Sequence, residues 1–164
     1  MATTLPVPVE FSLPQGWRSV HPDELGAPGA AFVALHPASR DGFTATIALS
    51  GELRDDEVPL TRIADEAARR LHRGAVALKV GRRGHVGGPD HPGLTQVLRL
   101  RARISGGLTD LVQLQVFLAV GDDVRTRRRA VLHVALTATP RQFARLLPGF
   151  QEFVATIRPE GGTV

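Results

Sequence analysis

The stretch "LTQVLRLRARISGGLTDLVQLQVFLAV", Leu94 to Val120, decides the fold. Apolar and polar residues alternate along both arms, the period of a β-strand with one buried face. In the first arm Leu98, Leu100, Ala102 and Ile104 face inward, and Val97, Arg99, Arg101 and Arg103 face outward. In the second, Val112, Leu114, Val116, Leu118 and Val120 face inward, with Gln113, Gln115 and Phe117 outward. The "SGG" between them is a hairpin loop. A two-residue Gly106-Gly107 turn would set Arg101 opposite Val112, and the faces would disagree. One more loop residue sets Arg99 opposite Gln113 and Leu100 opposite Val112. A one-residue slip exchanges the faces, so the pattern selects this second register. Across "GDDVRT", the segment "AVLHVALT" extends the meander. Leu132, Val134 and Leu136 join the inner face, and Arg129 and His133 join the outer one.

Upstream, residues 1–8 form a Pro-rich, flexible lead-in. Val9 to Leu13 reads as a short strand stopped by Pro14, with a turn at Gln15-Gly16. "GAAFVALHP" and "GFTATIALSGE" are two further strands joined by "ASRD". From Leu60 to Arg73 the period changes: Leu60, Ile63, Ala64, Ala67 and Leu71 make the apolar stripe of an amphipathic helix. Gly74 fits its end. Ala75 to Val80 returns to strand, and "GRRGHVGGPDHPG" reads as a connection with a small strand around Val86. Near the end, Thr139 caps a helix, Pro140 takes its first position and Gln142 reaches back to the cap. Pro148 interrupts the stripe, so two short helices or one kinked helix end before Pro159. Residues 160–164 are a disordered tail.

The expected architecture is a single α+β domain over residues 9–159. A curved, mostly antiparallel sheet of about six to seven strands carries an internal and a C-terminal helix.

The chain has 164 residues, enough for one well-buried core. It has no cysteine, which excludes disulfides, thiolate metal sites, a cysteine nucleophile and a lipid anchor on cysteine. The start lacks the basic-then-apolar pattern of a signal peptide, and Leu111–Val120 is too short to span a bilayer. A soluble cytoplasmic protein without membrane insertion is expected. The basic residues are 19 Arg and one Lys, a skew typical of a high-GC genome, and net charge is only +4.

His85, Asp90 and His91 match no zinc spacing and read as polar residues of a solvated loop. The sequence has no nucleophile elbow, phosphate loop or dinucleotide motif. No enzyme activity and no cofactor are therefore expected. The outer sheet face is the most informative surface. Arg99, Arg101, Arg103, Gln113, Gln115, Phe117, Arg129 and His133 would form one polar patch there. It reads either as a solvated face or as a partner-binding surface, since arginine with aromatics is typical of interface anchors. Nucleic acid is not the expected partner, because Tyr is absent and aromatics make up 5% of the chain. A homodimer through an edge strand or this face is left open.

The opening "F-x-L-P-x-G-W", Phe11 to Trp17, and the closing "LTATPRQFARLLPGFQEFVATIRP" resemble the PsbP/Mog-like superfamily. That group also includes the DcrB and LpqN-type branches. The resemblance covers residues 9–159 and rests on fold-placing residues, not catalytic ones. It implies a non-enzymatic adaptor that binds another protein, of the kind seen in the branch of cytoplasmic secretion-effector chaperones. It also places Trp17 as a plug over one end of the core. The alternative function is a small-molecule or lipid carrier with an apolar cleft between sheet and helix.

Overall fold

The computed structural model describes residues 4–25, 29–39, 42–88, 91–123 and 125–160. Its strands are β1 (Val9–Glu10), β2 (Arg18–Val20), β3 (Phe32–Leu35), β4 (Thr46–Asp55), β5 (Ala77–Gly87), β6 (Pro92–Ile104), β7 (Gly107–Asp123), β8 (Arg128–Ala138) and β9 (Arg158–Pro159). The helices are α1 (Leu60–Arg73) and α2 (Pro140–Thr156), with a single 3-10 turn at Pro22–Leu25. Seven strands form one antiparallel sheet in the order β2-β3-β4-β8-β7-β6-β5, and β1 pairs separately with β9.

Each helix covers a different face. Ile47 and Leu49 of β4, Leu132, Val134 and Leu136 of β8, and Leu114 and Val116 of β7 pack against Phe150 and Phe153 of α2. On the other face Leu94, Phe117 and Val131 pack under Leu60, Ile63, Ala64 and Ala67 of α1. Central strands buried on both sides read as nearly continuous apolar runs. That accounts for the unbroken Ala130–Leu132 stretch of β8, buried throughout.

This two-sided burial overturns the expected β6/β7 register. Ile104 lies opposite Gly107, Leu98 opposite Gln113, and Arg99 opposite Val112. Ser105 and Gly106 take φ of 50° and 83°, the left-handed pair of a tight two-residue hairpin. The expected register assumed one dry face and one wet face. With a helix on each face, Leu98 and Gln113 can share the α1 side, and the hydrophobic pattern no longer selects between slips. The β7/β8 pairing is as expected, with Val116 opposite Val134.

α1 has the expected bounds. α2 is one continuous helix through Pro148, opened by a complete capping box: Thr139 Oγ1 accepts from Gln142 N–H, and Gln142 Oε1 accepts from Thr139 N–H. β5 is longer than expected. Its pairing with β6 runs to Gly87 and passes through a bulge between Val80 and Arg83.

The N-terminal segment lies on the α2-side core. Leu5, Val7, Val9, Phe11, Leu13 and Trp17 all pack against it. Phe11 makes edge-to-face contacts with Phe32 and Phe153, at 4.8 and 5.3 Å between centroids. Gly51 makes room for this segment, because a Cβ there would meet Pro6 at 2.9 Å. Trp17 is half-buried, 5.2 Å from the His36 ring, at the margin of this core. The β1/β9 pair sets Val9 opposite Pro159 and is held by Arg158 Nε to Glu10 Oε1 at 2.6 Å. Residues 1–3 of the lead-in and 161–164 of the tail lie outside the described residues.

Candidate functional site

The residues expected to form one outer patch fall on opposite faces. Arg99, Arg101 and Arg103 are exposed on the α2 side of β6. Gln113, Gln115, Phe117, Arg129 and His133 lie on the α1 side of β7 and β8. The one-residue difference in register separates them. Phe117 is 1% exposed, and its ring stacks edge-to-face on His133 at 4.7 Å. It is a core residue, not a surface anchor.

α2 spans β4, β8 and β7 and leaves the β6–β5 half of its face open. Lys79 sits opposite Arg99 there, continuing the basic row onto the edge strand. The β5 bulge brings Arg82 beside Lys79, Val97 and Arg99. Arg101 donates to Asp110 Oδ1 at 2.8 Å across the β6/β7 pair, which holds the Asp110 carboxyl below its usual range. Lys79, Arg82, Arg99 and Arg103 meet no carboxylate among the described residues. Next to this row an apolar groove of about 550 Å³ runs between the sheet and α2, lined by Val86, Val97, Leu114, Phe143, Leu147 and Val154 with Arg82 at its rim. Arg82 and Val97 line both features, so the basic row and the groove are continuous.

The α1 side carries polar groups at the margin of its apolar seam. A cleft of about 320 Å³ is lined by Ser50, Arg70, Gln113, Gln115, Phe117 and His133. Beside it, Arg54 grips Glu66 with two hydrogen bonds of 2.7 and 3.0 Å and reaches Glu52 at 3.1 Å. His133 Nε2 stands 3.4 Å from Glu52 Oε1. Arg129 donates to Val58 O at 2.8 Å, tying β8 to the loop before α1, while its Nε and His133 Nε2 are buried with no hydrogen-bond partner among the described residues. The His133 ring does most to lower the Glu52 pKa and Arg54 adds to it; partial burial opposes both, and the result is about 2.

A pH dependence follows. The folded pKa of Glu52 lies below its ordinary value of 4.5. Its contribution is therefore complete above that value and is lost as pH falls through about 2. Urea midpoints of wild type should fall more steeply than those of Glu52→Gln over that window, the gap between them closing in acid. Parallel curves would refute the ion cluster.

Arg82 was missed because "GRRGHVGG" lacks apolar alternation and carries loop-type glycines, and Lys79, although read as strand, had no expected partner that set it beside Arg99. His85 lies on β5, and Asp90 lies outside the described residues. Among the described residues no three metal-ligating side chains cluster.

An antiparallel sheet clasped between an internal helix and a C-terminal one defines the class as α+β. No protein-family model and no curated protein matches the sequence. Solved structures do. LpqN of Mycobacterium tuberculosis, involved in cell envelope biogenesis, is similar at 14% identity and a TM-score of 0.63, over 94% of this chain and 86% of that one. Cyanobacterial PsbP from Synechocystis follows at 12% and 0.58, over 92% and 86%. The Ran-binding protein Mog1p of Saccharomyces cerevisiae shares 12% at 0.55, over 92% and 89%. The chain has the PsbP/Mog-like fold. Among the described residues no helix is long and apolar enough to cross a membrane.

Proposed function

We propose that this protein is a non-enzymatic, cytoplasmic adaptor or secretion-associated chaperone that takes a partner protein on the open half of its α2 face. One observation carries the reading: Lys79, Arg82 and Arg99, which meet no carboxylate among the described residues, stand beside a continuous apolar groove. Cations on a rim steer and orient an acidic partner, and the apolar strip supplies binding energy. A Ran-binding protein among the structural neighbours supports a protein partner. Of the residues picked from sequence, Arg99, Arg101 and Arg103 stay in this proposal.

Arg82→Glu with Arg99→Glu tests it, because the pair leaves the Arg101–Asp110 bridge intact. Both positions are exposed, so unfolding free energy should shift by no more than about 0.5 kcal/mol. The tagged protein should capture a partner from lysate of its source, and the variant should lose that partner. Equal capture by both removes this face as the site.

The groove itself favours a second reading, a carrier of a small apolar ligand. Its volume falls within the roughly 300–1,000 Å³ of ligand pockets. Native mass spectrometry that retains a lipid, with a thermal shift on adding it, would establish that reading in place of the first.

A further inference from the structure

β5 is the last strand of the sheet. Its inner edge pairs with β6 from Ala77 to Gly87, and its outer edge pairs with no described strand. The strand at the other end of the sheet has three residues, whereas β5 has eleven. A bare edge of that length presents a row of main-chain donors and acceptors, ready to pair with another chain. Val80 and Val86 on it are 40% and 41% exposed.

The charge on this edge selects among occupants. Lys79, Arg82, Arg83 and His85 lie within β5, which contains no acidic residue. Arg83 is engaged by Asp65 of α1 and by Gln96, but Lys79 and Arg82 are not matched. A second copy pairing antiparallel about a twofold axis at Arg82 would set Arg82 against itself. Like charges directly opposite are destabilising. The same charges favour an acidic strand.

We propose that the outer edge of β5 takes an extended, acidic segment of the partner protein as an eighth strand. This rests on the reading that the ligand is a protein and adds its mode of capture. Side chains alternate between the two faces of an added strand. Those on the α2 side meet Lys79 and Arg82, so they are carboxylates. Those on the α1 side lie beside Leu78 and Val80, so they are apolar. The preferred segment alternates acidic and apolar residues over about five to seven positions.

The test uses the full chain and a fluorescein-labelled peptide, Glu-Val-Glu-Val-Glu-Val-Glu. Controls replace Glu by Lys, or methylate alternate backbone nitrogens in two complementary patterns. Polarisation should show binding by the acidic peptide and a loss of about tenfold for the lysine version. One methylation pattern should abolish binding and the other leave it, because only one edge of the peptide pairs. Residue-resolved amide exchange should show protection confined to β5. Lys79→Glu with Arg82→Glu, checked for an unchanged unfolding midpoint, should invert the preference between peptides. No binding overturns the proposal. Binding that ignores both methylation patterns and leaves β5 exchange unchanged also overturns it, and places the peptide on the open face by side chains alone. Protection of β5 that rises with protein concentration in the absence of peptide would assign the edge to a second copy. Arg82 is common to both double variants, so the methylation patterns and the β5 exchange, which report main-chain pairing alone, separate a failure of this mode from a failure of the open-face reading.

Discussion

Phe117→Ala is expected to lower the unfolding free energy by about 3–5 kcal/mol and to leave partner capture per folded molecule unchanged. The ring is 1% exposed and sits in the cluster that fastens α1 to the sheet. Its neighbours on the helix include Ala64 and Ala67, which are too short to fill the space it would leave. On its open side it meets the His133 ring and the polar cleft, so truncation would also wet the helix–sheet seam. Urea unfolding followed by circular dichroism measures the loss. Phe117→Leu keeps most of the volume and should cost less. A loss of capture from Phe117→Ala without a loss of stability would mean that the α1 face is the interface after all.

Gln96→Leu is expected to cost about 3 kcal/mol although it makes the core more apolar. Gln96 is 0% exposed and stands at the head of an amide chain. Its Nε2 donates to Ala64 O at 2.9 Å and to Gln115 Oε1 at 2.6 Å, while its Oε1 accepts from Arg83 Nε at 2.8 Å. Gln115 then donates to Gln113 at 2.7 Å, and Gln113 donates to Thr137 Oγ1 at 2.8 Å. One directed chain thus ties β5, β6, β7 and β8 together and fastens α1 to them. Leucine would strand the Gln115 acceptor in the interior, the costly way to lose a hydrogen bond. Gln96→Glu should do no better, since Ala64 O and Gln115 Oε1 both need a donor. Urea midpoints of the two variants, with amide exchange in α1, check this. A neutral Gln96→Leu would show that the chain adds nothing to stability.

The local signals in the sequence were strong where a side chain addresses its own backbone or its own helix. The stripe from Leu60 to Leu71 marked α1, and Thr139, Pro140 and Gln142 marked the cap of α2. The order of the meander and the β7/β8 pairing followed from alternation. The β6/β7 slip did not, because α1 buries the face that alternation assigned to water. Gln96 and Gln115 are polar yet buried, since the amides satisfy one another, and no local pattern marks such a partnership. The site was half legible for the same reason. The arginines of β6 are on the surface as expected, but the glutamines, Phe117 and His133 belong to the opposite side. Gly81, Gly84 and Gly87 read as loop residues, although they lie in the edge strand.

The β1/β9 pair also sets an order of events in time. Val9 and Pro159 are separated by about 150 residues, and closing a loop of that length in an open chain costs about 4 kcal/mol of entropy. Two residue pairs cannot offset that by themselves. The β6/β7 hairpin closes over a two-residue turn and carries no such burden. The meander should therefore assemble early, and β1 should meet β9 only after the sheet and α2 have brought the ends within reach. In the reverse direction the same pair should part early, leaving the N-terminal segment held on the Phe153 side of the core by side-chain packing alone.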